Sequence, residues 1–288
     1  MLLLDRRTIL QAGGAALLTP SLAWAANKRA LETFTASPMG AFVHSTMVVG
    51  EENALVIDAQ LTQADATLLA DQIETTGKRL ETVFITHLHP DHLMGIAVLS
   101  ARFPDASFVA HPVVAEILAQ VGPGMFDALK GNLGFAAGDS WVLPTALDGD
   151  LELEGERFKV LDPMVGDTAA ITPIHMPQFN ALVASDVVYS GLGLYIAETL
   201  TAEAFAGWRA SLDALEAVGA EKLIAGHEGP VPMEGSAIDF TRTYLDGWEQ
   251  ALAESTDRVS LASAMERILG ADPEAFFSVE ALKAAYPE

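Results

Sequence analysis

The segment Thr86-His87-Leu88-His89-Pro90-Asp91-His92 constrains this chain more than any other part of it. It follows directly on Val83-Phe84-Ile85, a fully apolar run of the kind found in a central strand. Pro90 is well placed to open the next helix, which carries Leu93, Ile96, Ala97 and Leu99. Three imidazoles and a carboxylate therefore fall at a strand-to-helix junction. Burying so many polar groups together is expensive unless a cation joins them. In extended chain His87 and His89 point the same way, so one ion can take both. Asp91 and His92 come at the helix start and turn toward a second ion close by.

Composition narrows the ligand chemistry. The 288 residues include no cysteine, which excludes disulfides and thiolate metal sites and leaves His, Asp and Glu as ligands. The formal net charge is −23, from 16 basic against 39 acidic residues. Such a surface repels phosphate backbones and anionic lipid heads, which disfavours nucleic-acid partners. Length and a hydrophobic content of 50% suffice for one large domain, or one domain with an appendage.

The N-terminus reads as an address. Arg6-Arg7 precedes an apolar stretch, Ile9 to Leu18, too short to span a bilayer, and Ala23-Trp24-Ala25 offers a small-x-small cleavage site. Residues 1–25 resemble a twin-arginine export signal, which implies a bacterial periplasmic protein with no stable membrane insertion after the signal is removed. An uncleaved anchor ranks second, because no stop-transfer run follows. Cleavage makes the mature chain about one unit more acidic.

Strand and helix patterns alternate through the rest. Ala41–Val49 and Asn53–Asp58 read as a hairpin about Gly50-Glu51-Glu52. Thr62 caps a helix with Asp65 at its third position and Leu68, Leu69 and Ile73 on one face, ended by Gly77. Ser107–Ala110 reads as a strand, followed by a helix from Pro112 and an irregular stretch around Gly122–Gly138. Leu151 to Tyr189 is strand-rich. Thr201 caps a helix with Phe205, Trp208, Leu212 and Leu215 inward and Gly219 closing it. Leu223-Ile224-Ala225 is a last strand ending at Gly226-His227, and from Ser236 the pattern is a helical tail. Strands mixed with helices throughout indicate a layered α/β fold.

Thr86 to His92 resembles the signature of the metallo-β-lactamase-fold hydrolases, and the resemblance extends over residues 30–232. Leu55-Val56-Ile57-Asp58 resembles that family's early strand ending in Asp. Val183-Ala184-Ser185-Asp186 resembles the strand whose closing Asp bridges two metals, and Ala225-Gly226-His227 the strand end that provides the last ligand. The resemblance implies a four-layer αββα sandwich over residues 30–232, with residues 233–288 as a C-terminal helical extension. It implies one or two zinc-type ions, with manganese or iron possible. His87 and His89 would hold the first, Asp91, His92 and His227 the second, and Asp186 both. Asp91 would also orient the attacking water and shuttle its proton.

The sequence departs from the family at one ligand. Where a Gly-His-Thr-like turn normally gives the first metal a third histidine, this chain reads Val165-Gly166-Asp167-Thr168. Asp167 is the natural substitute, since carboxylate oxygen also ligates zinc and harder metals. His175 is the other candidate. The first metal is then bound differently, bound weakly, or missing.

Other residues carry weaker signals. Asp58 is placed to brace a ligand by hydrogen bond. His44 and His111 are candidates to line the pocket. Tyr189 and Tyr195, flanking Gly191 and Gly193, are candidates to polarise a carbonyl or to form walls. Met94, Met125, Phe126, Met176 and Phe179 are either an apolar substrate wall or core. Glu228 reads as solvated or as a helix-capping partner.

The function expected is metal-assisted hydrolysis of an ester, lactone, amide or related bond in a small molecule. There is no Gly-x-Ser-x-Gly elbow to supply a serine nucleophile. Two alternatives stand beside it. One is a mononuclear iron oxygenase or redox enzyme of the same fold, against which the missing third histidine argues. The other is a non-catalytic periplasmic protein with a degenerate site. The sequence leaves the oligomeric state open.

Overall fold

The computed structural model describes residues 29–231 and 235–287. Residues 1–25, read above as resembling an export signal, lie outside the described residues. Two sheets form the frame. The first contains β1 (Ala30–Thr35), β2 (His44–Val49), β3 (Asn53–Ile57), β4 (Arg79–Ile85), β5 (Ser107–Ala110) and β6 (Thr145–Ala146), hydrogen-bonded in that order. The second contains β7 (Leu151–Leu153), β8 (Glu156–Val160), β9 (Ile174–Met176), β10 (Ala181–Ser190) and β11 (Lys222–Glu228), in the order β11-β10-β9-β8-β7. β2 and β3 are the expected hairpin, with Val49 opposite Ala54. β4 lies between β3 and β5, parallel to both, as its apolar run predicts.

Helices cover both outer faces. They are α1 (Gln63–Thr75), α2 (Pro90–Leu93), α3 (Ile96–Arg102), α4 (Pro112–Leu129), α5 (Ala202–Val218), α6 (Ala237–Glu254), α7 (Arg258–Leu269) and α8 (Phe276–Ala285). The period-2 alternation of the strands sorts their side chains into different cores. Val83 and Ile85 pack outward with Leu69, Ile73, Ile96 and Leu118 of the first helices. Phe84 points the other way and joins Phe158, Ile174, Val183 and Ile224 between the sheets. On the far side Leu182, Ala184 and Val188 pack against Phe205, Trp208, Trp248 and Met265. Three cores separate four layers, αββα, and the C-terminal helices thicken the last of them. Among the described residues no helix is long and apolar enough to cross a membrane.

Local signals account for the helix starts. Thr62 Oγ1 accepts from Asp65 N at 3.0 Å, and Thr201 Oγ1 accepts from Ala204 N at 3.1 Å. Gly219 closes α5 in the left-handed region, φ 71°.

Tertiary contacts override the pattern in three places. Leu68, expected on the inner face of α1, is 55% exposed, because the buried stripe runs through Ala66, Leu69, Ala70 and Ile73. The single helix expected after Pro90 is two, α2 and α3. At the break Gly95 N donates to Gln60 O at 2.9 Å, and a side chain there would meet Ala59 O at 1.9 Å. Conversely α4 runs on through Gly122-Pro123-Gly124, where an irregular stretch was expected. Burial of Leu118, Gly122 and Phe126 holds it, with Gly122 set against the Trp141 ring.

Candidate metal centre

The site lies where strands of both sheets end side by side. β3 delivers Asp58, β4 delivers His87 and His89, α2 carries Asp91 and His92, β10 carries Asp186, and β11 carries His227. An isolated bridge between Val43 and His227 ties the two sheets together at this edge. Two of the site's residues have left-handed backbones, Asp58 at φ 64° and Ser185 at φ 49°. The β10–β11 register shifts between Ser185 and Tyr189, a bulge that re-aims the side chains there. Strain of this kind concentrates at functional sites.

Two groups of ligand-type side chains result. His87, His89, Asp167 and Asp186 bring one nitrogen or oxygen each to within 4.8 Å of one another. Asp91, His92, Asp186 and His227 do the same. Asp186 belongs to both. Asp167, not His175, occupies the place of the missing histidine, with Oδ2 2.9 Å from His89 Nδ1.

The surrounding residues fix which ring nitrogen faces inward. Thr86 Oγ1 lies 2.9 Å from His87 Nδ1, Asp58 Oδ2 lies 2.8 Å from His92 Nδ1, and Ala41 O lies 2.7 Å from His227 Nδ1. Each imidazole is thus held by Nδ1 and turns Nε2 to the centre, the arrangement that orients metal-ligating histidines. Asp58 is itself held by Thr86, whose N and Oγ1 both donate to it. Four buried atoms at the centre have no hydrogen-bond partner: Nε2 of His87 and His92, and Oδ1 of Asp167 and Asp186. Orphaned lone pairs converging from two sides are what a divalent cation satisfies, so the residues fit a metal.

Electrostatics agree with this. Burial pushes the Asp167 carboxyl up to about 7, and the nearby Asp186 carboxylate adds to the rise. Burial opposes the charged form of His227 too, yet Asp186 and Asp91 raise it to about 10. His92 and His89 are likewise raised against burial, by Asp186 and by Asp167 respectively. Burial drives His87 the other way, well below its ordinary value. Without a cation His89, His92 and His227 hold protons at neutral pH that a metal must displace. Metal binding is therefore expected to release more than one proton at pH 7. Affinity rises with pH toward the His227 value and falls on acidification. Calorimetric titrations in buffers of different ionisation enthalpy measure this; an affinity independent of pH contradicts it.

Gly226 makes the close approach of β11 possible. A Cβ there would lie 1.8 Å from Asp186 Oδ1 and 2.7 Å from the Ser185 carbonyl carbon. Gly226→Ala is expected to displace Asp186 and destabilise the fold by about 1–3 kcal/mol, the usual cost of overpacking. Loss of bound metal in excess of the loss of stability, read by metal analysis and thermal melting, checks it.

The remaining expected residues divide clearly. Tyr189 is buried, donates to Asp167 Oδ2 at 2.8 Å and to Asp186 Oδ2 at 3.0 Å, and stacks on His227 at 5.0 Å. Tyr195 sets its ring edge-on to His89 at 5.3 Å. His175 does not join the site. It sits on β9 opposite Leu182 and Lys159 and alternates outward between the buried Ile174 and Met176. His111 caps α4, and buried His44 bonds Ala225 O at 3.0 Å and lies 3.3 Å from Glu228. Met94, Met125 and Phe126 pack in the first core, and Met176 and Phe179 between the sheets, so they form no substrate wall. Two residues went unforeseen. Glu198 Oε1 lies 3.3 Å from His89 Nε2 and its other oxygen accepts from Thr168 Oγ1 at 3.0 Å. Phe277, from α8, sets its ring 5.5 Å from that of His227. Neither belongs to a local motif.

Comparison with known proteins agrees with this architecture. The family profile described as the metallo-beta-lactamase superfamily matches residues 39–227. The chain resembles the solved metallo-beta-lactamase IND-7, with TM-score 0.57 and 18% identity over 76% of this chain and 98% of that one. It resembles the metallo-beta-lactamase from Pontibacter korlensis similarly, with TM-score 0.55 and 18% identity over 77% and 96%. At those identities the likeness speaks for the fold. Two curated relatives are hydroxyacylglutathione hydrolases. That of Albidiferax ferrireducens is 39% identical over 99 residues, 33% of this chain and 37% of the relative. That of Stenotrophomonas maltophilia is 35% identical over 71 residues, 25% of this chain and 26% of the relative. The chain thus spans roughly a third of the length of the curated relatives it matches. With the profile covering most of the described catalytic core and the metal-type cluster at the joined sheet ends, the chain belongs to the metallo-beta-lactamase superfamily.

Proposed function

We propose that the protein is a metal-dependent hydrolase that cleaves an ester, thioester, lactone or amide bond of a small, largely uncharged molecule. The observation that carries this reading is the pair of ligand groups sharing Asp186, on this family's fold. His87, His89, Asp167 and Asp186 would hold one ion, and Asp91, His92, Asp186 and His227 the other. Zinc is the first choice, with manganese or iron as alternatives. A bound divalent ion supplies a Lewis acid and a water whose pKa falls from near 16 to about 7.

The chain's own residues do the rest. Asp91 is the most open carboxylate of its group, 14% exposed, with Oδ2 3.3 Å from His227 Nε2. Burial opposes its charge, but His92 and His227 hold it well below the usual carboxylate range. It is therefore an acceptor that can orient a water and take its proton. The water oxygen bonds to the acyl carbon, the bond to the leaving oxygen, sulfur or nitrogen breaks, and that leaving atom takes the proton. The names of the two curated relatives put acyl compounds first among the substrates. The twin-arginine pattern of residues 1–25 supports a periplasmic site of action for the mature chain.

The test is metal analysis of the purified protein, then turnover of esters, thioesters, lactones and β-lactams after loading with zinc, manganese or iron. One or two metal equivalents and hydrolysis abolished by chelation are expected. A fully loaded protein inert on the whole panel would overturn the reading. Stoichiometric iron with oxygen uptake would replace it with the oxygenase alternative.

A further inference from the structure

A cavity of about 600 Å³ lies between the catalytic core and the C-terminal helices. The core contributes Ala41, Phe42 and the loop Gly191–Gly193. The extension contributes Tyr244, Leu269 and the segment Ala275–Ser278. Among its described lining residues there is no lysine, arginine or histidine, and the one charged side chain is Asp272. In a chain this acidic, a largely apolar recess with a single acidic lining residue stands apart from its surroundings.

Its position relative to the metal centre is what gives it meaning. Two wall residues also touch His227. Ala41 O bonds His227 Nδ1 at 2.7 Å, and the Phe277 ring lies 5.5 Å from the His227 ring. Phe277 further meets Tyr195 at 5.7 Å and Tyr189 at 6.3 Å. The same aromatic ring therefore lines the cavity and lies against the His227, Tyr195 and Tyr189 rings beside the metal-type cluster. Outward from it, Phe276 is 69% exposed and Val231 62% exposed, and both line the cavity; Met39, next to the lining residue Pro38, is 78% exposed. Large apolar side chains left in water at the rim of an apolar recess mark a ligand-binding site.

We propose that this cavity holds the apolar arm of the substrate, an uncharged acyl or alkyl chain, while its scissile bond lies at the metal centre beyond Phe277. The proposal rests on the hydrolase reading and adds a substrate class to it. The C-terminal helices then select substrate by chain length. A substrate whose remote portion carries carboxylates finds no cation in the cavity to receive it.

The experiment separates the two ideas. Binding of neutral 1-alkanols of four to ten carbons to the metal-loaded protein is measured by displacement of the apolar dye Nile red. Turnover is measured on thioesters and lactones of the same chain lengths. Each added methylene is expected to tighten binding about fourfold until the cavity is full. The value of kcat/KM is expected to climb in the same steps. Ala271→Trp, which fills the cavity, and Phe276→Asp, at its exposed rim, are expected to flatten both series with the melting temperature kept. Because Phe276 is exposed, its variant tests the proposal even if the filled variant fails to fold. Alkanol binding that ignores chain length, or that is unchanged in the folded variants, overturns the cavity proposal. Turnover that ignores chain length also overturns it and leaves the hydrolase reading standing. Length-dependent alkanol binding with no turnover of any substrate overturns the hydrolase reading instead.

Discussion

Asp186→Asn is expected to strip metal from both halves of the site and to lower kcat/KM by about a thousandfold to ten-thousandfold, the equivalent of the several kcal/mol that a metal centre contributes to a hydrolytic transition state. The side chain belongs to both ligand groups and is 1% exposed. Its Oδ1 lies 3.1 Å from His92 Nε2, and its Oδ2 lies 3.1 Å from His227 Nε2. Asparagine keeps the shape beside Gly226 and removes the charge, so a loss reports on ligation and not on packing. His175→Asn is the matched control, because β9 carries His175 away from the cluster. Metal content per chain and steady-state kinetics read the result, with circular dichroism for the fold. An Asp186→Asn protein with its full metal content and activity would remove the shared ligand from the scheme.

What the sequence displays about this site follows from the range of the physics involved. The His87-to-His92 cluster is legible because strand, turn and helix start lie within one short segment, and the alternation of His87 and His89 is a backbone property. The caps at Thr62 and Thr201 are legible for the same reason: donor and acceptor are three residues apart. Glu198 and Phe277 escape because their neighbours are about a hundred or fifty residues away, and nothing in their own surroundings marks them. The edge strand β1 escapes because Ala30–Thr35 is only half-buried and pairs with β2 alone. The uninterrupted α4 shows the converse. Gly122-Pro123-Gly124 reads locally as a break, and burial of the helix face outweighs it. The ambiguity between Asp167 and His175 has the same origin. Each is a reasonable ligand by type, and the β9–β10 pairing decides which one faces the centre.

Once Asp167 stands in the ligand group, the side chain holding it matters as much as the substitution itself. Tyr189→Phe is expected to weaken metal binding on the His87–His89 side by about tenfold to a hundredfold, the usual consequence of removing a hydrogen-bonding support from a ligand. The phenol donates to Oδ2 of both Asp167 and Asp186, drawing together two carboxylates that would otherwise repel in a buried place. Phenylalanine retains the stack on His227 and the contact with Trp208, so the core is preserved and the hydroxyl alone is tested. Activity should fall at limiting metal and recover at excess metal, which a purely structural role for the ring would not produce. Asp167 also sets which ion is preferred. A set of two imidazoles and two carboxylates is harder than the three-histidine set that the family normally offers. Asp167→His should therefore raise the selectivity of that half for zinc over manganese or iron. In that variant the phenol loses one of its two acceptors, and Tyr189→Phe should then cost less than in the natural chain. Competitive metal titrations on the two single variants and the double variant measure the coupling. Equal effects of Tyr189→Phe in both backgrounds would show that the hydroxyl does not act through Asp167.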